Sequence, residues 1–426
     1  VSEQTPESRG PESAGHDGIH HSFLQRLGSF LLSGNTFVIT VLAFFSALVI
    51  GGIIIVFATP AATSAWGRFF IAPGQALAQT WAAIANAYGS LLQGSLGRPG
   101  LMIQAIASGN KVDLVNAFRP ISETLVSTTP LMMAGLGIAL AFRAGLFNIG
   151  GQGQLILGAA GATLAGFLFT GLPPILHIPI AIIFGALFGA AWGFIPGILK
   201  ARTGAHEVIT SMMLNYVGLN LLTYLLTTEL YQAPPRNQSI SKMITPTGRL
   251  PHIFGPSLRV NLGIILSILF TVGVWWLLTK STLGFQFRML GANRDAARVA
   301  GVNVRRQYVV AMTLAGLLVG LAGAFQVMGV DHRMAPMYGG TAGFDGITVA
   351  ILGRGSPLGV ALSALLFGAF TAGGRTMQVN TNIPLQLVEV IQALVVLFVA
   401  APGVIRTIYR IKLARAGERI FGGWGG

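Results

Sequence analysis

Ten apolar runs, cut by connections that carry arginine, constrain this chain more than any other feature. They cover residues 36–59, 120–142, 148–170, 177–199, 206–228, 260–279, 307–330, 341–353, 356–374 and 385–402. A helix of about 20 mostly apolar residues crosses the hydrocarbon of a bilayer. There the backbone polar groups must be satisfied within the segment, so helices are what such runs form. Only 9% of the 426 residues are charged, against about 25% in soluble domains. The expected fold class is all-α, a polytopic integral membrane helical bundle of about ten spans. The eighth run is too short for an ordinary crossing, and Gly353, Gly355 and Pro357 separate it from the ninth. Residues 341–374 are therefore expected to form a broken or re-entrant pair. Such breaks survive at membrane depth only where protein or a water-filled cavity surrounds them.

The net charge of +14 does not point to a nucleic-acid partner, because the basic residues are spread over connections instead of gathered on one face. That distribution orients a membrane protein and attracts anionic lipid. The loop 281–306 holds Arg288, Arg294, Arg298, Arg305 and Arg306, with Lys280 just before it. Such density marks the cytoplasmic side. Alternation then places Arg143, Lys200, Arg202, Arg354 and both termini on that side, and 60–119, 171–178 and 229–259 outside. The expected organisation is a disordered polar tail 1–22, a transmembrane domain 23–402 with an external insert 60–119, and a basic cytoplasmic tail 403–426. Apolar pieces in the insert, Phe69–Ala85 and Leu101–Ala107, leave room for a further hairpin or a surface-lying helix. Gly185, Gly189, Gly193 and Gly197 recur every four residues, as do Gly316 and Gly320, a spacing that lets helix backbones approach closely.

The chain shows no catalytic pattern. It has no cysteine, which excludes disulfides and thiol chemistry. A G-x-x-x-x-G-K-[ST] loop is absent, and NIGGQGQ (148–154) lacks the third glycine and the preceding strand of a nucleotide fingerprint. His206-Glu207 has no second histidine four residues on, and His16, His20 and His21 stand in the polar tail without a cysteine. No metal site is expected. What remains are polar residues inside apolar runs. A charge at the bilayer centre costs about 2.5–3.5 kcal/mol on insertion scales, so such residues face a cavity or a partner. Asn148, Gln152, Glu207, Asn215, Gln326 and Asp345 are the candidates for a substrate pathway, with Glu123, Glu389 and Gln392 beside them. The same residues would equally serve as hydrogen-bonded ties between helices. Phe147, Tyr216 and Phe344 could stack on a planar solute or stand among the many aromatics that membrane bundles hold. A short basic helix between two long runs, as 281–306 would form, suits docking of a soluble partner, and Asp295 can pair with Arg298 on one of its faces.

Four blocks carry a family resemblance: ETLVSTTPLMMAGLGIALAFRAGLFNIGGQGQLILGA (123–159), HEVITSMMLNYVGLNLLTYLL (206–226), GANRDAARVAGVNV (291–304) and FDGITVAILGRGSPLGVALSALLFGAF (344–370). With them the chain resembles the permease subunits of ABC importers of the branched-chain amino acid/ribose superfamily, most of all the nucleoside permeases. The resemblance implies that 291–304 is the coupling helix against an ATPase, with Arg294, Asp295, Arg298 and Gly301 on or beside the contact. It also implies a separate ABC ATPase subunit that holds ATP and magnesium, so that this chain carries no cofactor. A second permease subunit, often a different chain, and an extracytoplasmic substrate-binding lipoprotein complete the assembly in a prokaryotic plasma membrane. The family block has an acidic residue where Gly151 or Gln152 stands, and Asn where His206 stands. The expected function is inward passage of nucleosides or related small polar solutes. The alternatives are a sugar or branched-chain amino acid permease of the same superfamily, and an ion-coupled secondary transporter working through Glu123, Glu207 or Asp345.

Overall fold

The structure, a computed structural model, describes residues 36–410. The tail 1–22 with its three histidines, and residues 411–426 of the basic tail, lie outside the described residues. Among the described residues sixteen α-helices follow one another. They are α1 (Thr36–Ala58), α2 (Pro60–Trp66), α3 (Pro73–Leu96), α4 (Pro99–Ser108), α5 (Lys111–Arg143), α6 (Gly151–Leu168), α7 (Pro174–Thr203) and α8 (Glu207–Leu225). Then come α9 (Gly263–Lys280), α10 (Thr282–Ala292), α11 (Arg294–Val299), α12 (Val304–Gln326), α13 (Ala342–Leu352), α14 (Pro357–Thr381), α15 (Leu385–Ala400) and α16 (Pro402–Ile408). Local chemistry sets many of the ends. Asn110 caps α5 by accepting from Val112 N, and Asn303 caps α12 by accepting from Arg306 N, each satisfying a donor the first turn leaves free. Gly204 closes α7 in the left-handed conformation after Lys200 and Arg202, cations that favour a helix C-terminus.

Every expected run contains a helix, but fewer of them are ordinary spans. Among the described residues seven helices are long and apolar enough to cross a bilayer, or eight if α15 and α16, bent by 89°, count as one. Two of the ten runs fall short for different reasons. Residues 151–168 make the 18-residue α6, rich in Gly, Ala and Gln and buried almost throughout by its neighbours. It faces protein, so it needs little lipid-facing hydropathy. Residues 342–352 make only the 11-residue α13. The insert 60–119 holds α2, α3, α4 and the start of α5. Its α3 has the length of a span but not the hydropathy, and it packs on α14: a Cβ on Gly373 would stand 2.2 Å from Leu91 O.

The tightest packing joins α6, α7 and α12. A Cβ on Gly189 of α7 would lie 2.4 Å from Gly316 O, and one on Gly158 of α6 would lie 2.2 Å from Gly320 O. These helices touch backbone to backbone, which is how association proceeds where lipid supplies no hydrophobic drive.

The two ends of the bundle differ. At the basic end, Arg143 Nε donates to Gly355 O at 2.9 Å, and Gly145 meets Gly291, so the 281–306 loop and the α13–α14 turn share that end. At the opposite end, residues 229–262 lie over the tips of α6 and α12, with Ile244 N donating to His332 O and Leu250 N to Met328 O. From there the chain turns inward. Residues 332–341 descend until Gln152 Nε2 donates to Tyr338 O, α13 continues past Ala134 and Ile138, and Arg354 and Gly355 turn it back at the basic end. The expected broken pair at 341–374 is this half-depth helix followed by the full span α14.

Candidate functional site

Where the chain re-enters, it leaves a cavity of about 830 Å³ between α5, α12, α13, α14 and α15. That volume suits a small organic solute. The wall carries Arg259, Arg333 and Arg375, the carboxylates of Asp331, Asp345 and Glu389, and the amides of Gln326 and Gln392. Formal charges balance, and the hydroxyls of Ser127, Tyr338, Thr341 and Thr371 share the lining with aliphatic side chains, an arrangement for a polar solute without large net charge. Several of these groups hold one another. Asp331 Oδ2 accepts from Gln326 Nε2 at 3.1 Å and from Tyr338 Oη at 2.9 Å. Asp345 Oδ2 accepts from Thr341 Oγ1 at 2.9 Å. From this wall Arg259 Nη1 reaches Glu123 Oε2 at 3.1 Å, with side chains 49% and 23% exposed. A pair that open to water is worth little, so Glu123→Gln should change stability by less than about 1 kcal/mol, read as a Tm within a few degrees of the parent.

The start of α13 is capped across space. The side chain of its N-cap Thr341 accepts no backbone N–H of the first turn, which leaves first-turn donors without intrahelical partners. Gln152 supplies one acceptor: its Oε1 takes the Gly343 N–H at 3.0 Å while its Nε2 donates to Tyr338 O at 3.3 Å. A Cβ on Gly343 would lie 2.4 Å from Gln152 Cα, so the two segments touch through backbone.

Of the six pathway candidates, Gln326 and Asp345 line the cavity, and Glu389 and Gln392 join them. The other four stand elsewhere, in a buried hydrogen-bonded cluster around 148–154. Asn148 Nδ2 donates to Gln154 Oε1 at 3.0 Å, and Asn148 Oδ1 accepts the Gly150 N–H. Asn215 accepts from Gly153 N at 2.8 Å and donates to Ile149 O at 2.9 Å. Glu207 pairs with Lys200 at 2.5 Å. Phe147, Tyr216 and Phe344 are not among the lining residues, and Tyr338 is the lining aromatic. Sequence reading missed Arg259, Asp331, Arg333 and Arg375. Each stands near the end of an apolar run, where a charge reads as a span boundary.

At the basic end α10 and α11 make up most of the loop 281–306. Asn293 starts α11 by accepting from Asp295 N and Ala296 N. Ala297 is wholly buried and seats the helix, while Arg294, Asp295, Arg298 and Gly301 are exposed. Gly301 takes φ 81°, which lets the chain turn sharply toward α12. The expected Asp295–Arg298 pairing is not made: no ion pair within 4.0 Å joins them. Both side chains are solvated, and the gain from an exposed pair does not offset holding two side chains in one geometry. They remain free for a partner.

Residues 121–400, which contain both the cavity and this loop, match the family described as branched-chain amino acid transport system / permease component. The chain belongs to that family. It is 38% identical over 289 residues to the guanosine ABC transporter permease protein NupP of Bacillus subtilis, covering 68% of this chain and 83% of the relative. It is 34% identical over 315 residues to the nucleoside ABC transporter permease protein NupB of Lactococcus lactis, covering 72% and 86%. It is 33% identical over 303 residues to the glucose ABC transporter permease protein TsgB13 of Haloferax volcanii, covering 69% and 79%. No solved structure matches. The permease is thus a multi-pass membrane component of an ABC transporter.

Proposed function

We propose that this permease passes nucleosides inward through the 830 Å³ cavity, driven by ATP hydrolysis on a separate ABC ATPase that docks on 281–306. One observation carries the reading: a half-depth helix with a polar cavity at its inner end sits in the same chain as an exposed basic loop at the bundle's other face. The basic end is cytoplasmic on this reading, as are both termini, and the membrane is a prokaryotic plasma membrane. Arg294, Asp295, Arg298 and Gly301 bear on the ATPase, which holds ATP and magnesium. A second permease subunit closes the cavity from the side, and an extracytoplasmic lipoprotein delivers substrate over residues 229–262. The names of NupP and NupB support nucleosides. A sugar reading draws on TsgB13 and on a lining with the single aromatic Tyr338, which gives a base little to stack on.

Vesicles holding the complete transporter separate these. Tritiated guanosine should accumulate only with ATP, and unlabelled glucose should not compete. Reversing charge with Arg294→Glu and Asp295→Arg should reduce substrate-stimulated ATP hydrolysis at least about tenfold, a loss within the usual range for coupling between sites, while the chain still inserts. Glucose uptake in place of guanosine would select the sugar reading. Uptake without ATP would remove the importer.

A further inference from the structure

Buried polar residues near the starts of α6 and α8 form a connected series between the loop 281–306 and the cavity floor. The Arg294 guanidinium lies over the Tyr308 ring at 5.9 Å, and Lys200 Nζ lies over the same ring at 5.3 Å, both within cation–π range. Lys200 bonds Glu207, the first residue of α8, and the Glu207 carboxylate also takes the backbone N–H of Phe147. One turn along α8, Ser211 Oγ accepts from Ile149 N at 3.2 Å. A turn further, Asn215 holds Ile149 O and Gly153 N together. Gln152, inside that grip, caps α13 through Gly343 N and holds Tyr338 O. Tyr338 then bonds Asp331 in the cavity wall.

Two features make this more than a string of neighbours. Glu207, Ser211, Asn215 and Gln152 are all less than a tenth exposed, so water does not replace a bond that opens, and the series resists moving piecemeal. Glycines remove slack at the last link: a Cβ on Gly151 would lie 2.7 Å from Gly343 O, so the starts of α6 and α13 shift together.

We propose that Gln152 and Asn215 are positioning residues that transmit displacement of the docking loop, through the start of α8 and the turn 147–153, to the half-depth helix α13 at the cavity floor. This rests on the reading of 281–306 as the ATPase contact. Gln152 is the decisive member because it ties the start of α6 to α13 through its acceptor and to Tyr338, just before α13, through its donor. Contiguity does not by itself establish coupling, so the test measures coupling.

The experiment uses the complete transporter in vesicles, with tritiated guanosine uptake and phosphate release followed together. Gln152→Ala should raise the ATP hydrolysed per guanosine carried about tenfold, and Gln152→Glu, which keeps the acceptor for Gly343 N–H, should restore part of the ratio. In a double-mutant cycle, Arg294→Ala combined with Gln152→Ala should be no worse than the worse single change, since both interrupt one series. If Gln152→Ala lowers uptake and hydrolysis in parallel, or if the two changes add, the proposal fails while the docking reading stands. If Arg294→Ala changes neither quantity, the docking reading fails and the relay with it. Should Gln152→Ala not assemble, Asn215→Asp, which keeps the acceptor for Gly153 N–H and loses the donor to Ile149 O, is read by the same ratio.

Discussion

Gly320→Leu should leave no folded permease to purify. Gly320 sits where α12 crosses α7, and a Cβ there would already stand 2.7 Å from Gly185 O and 2.7 Å from Gly189 Cα. On its other side a Cβ of Gly158 would stand 2.2 Å from Gly320 O, so three backbones meet at one point. None of these atoms is the end of a flexible side chain that can swing aside. Overpacking an ordinary core costs about 1–3 kcal/mol, occasionally more. Here the helices themselves must part, losing the dispersion contacts that hold them in lipid. A loss above about 5 kcal/mol exhausts the stability of a typical domain. Gly273 of α9 is the control, since a Cβ there meets nothing within 4 Å. Gly273→Ala should hold or raise Tm, because alanine favours a helix by about 1 kcal/mol over glycine. Membrane yield and thermal melting in detergent check both. A monodisperse Gly320→Leu protein with the parent Tm would mean that α7 and α12 do not cross as described.

That crossing was legible because a four-residue glycine period is a local signal with a steric meaning. The broken pair at 341–374 was legible for the same kind of reason: Gly353, Gly355 and Pro357 interrupt a run too short to span. Other features depend on what lies opposite a residue, which no local pattern encodes. The helix α6 reads as a span by its apolar length, yet its Gly, Ala and Gln faces meet protein on nearly every side. Asn148, Gln152, Glu207 and Asn215 read from the sequence as polar groups inside apolar runs, fit either for a substrate pathway or for ties between helices. Whether the partner is solute or protein depends on how α6, α8 and α13 meet, and the structure supplies both backbone and side-chain partners. Arg375 and Asp331 posed the reverse difficulty. Charges near run ends normally reach the headgroups, but Asp331 and Arg375 line the cavity beside the inward descent of 332–341.

Lys200→Met should destabilise the permease more than removing both charges of its ion pair. Lys200 Nζ is 2.5 Å from Glu207 Oε2, and the two side chains are only 21% and 8% exposed. Removing the lysine strands a carboxylate among α7, α8 and the 147–153 turn, and breaking a buried pair in this way costs about 3–5 kcal/mol. For a chain of this size that is a fall in Tm of roughly 3–6 °C. Replacing both residues, as Lys200→Met with Glu207→Met, removes the stranded charge, and exchange of a whole buried pair for apolar side chains is often about neutral. Recovery should be incomplete, because the Phe147 N–H loses the acceptor it has in Glu207. Transport should not recover with stability. The double variant still lacks the link between Tyr308 and α8, so guanosine uptake per ATP should stay about tenfold below the parent even at temperatures where the fold is intact. Thermal melting and vesicle uptake on the same preparations separate the two effects. Uptake that returns in step with Tm would show that Lys200 and Glu207 hold helices together and carry no motion between the loop and the cavity.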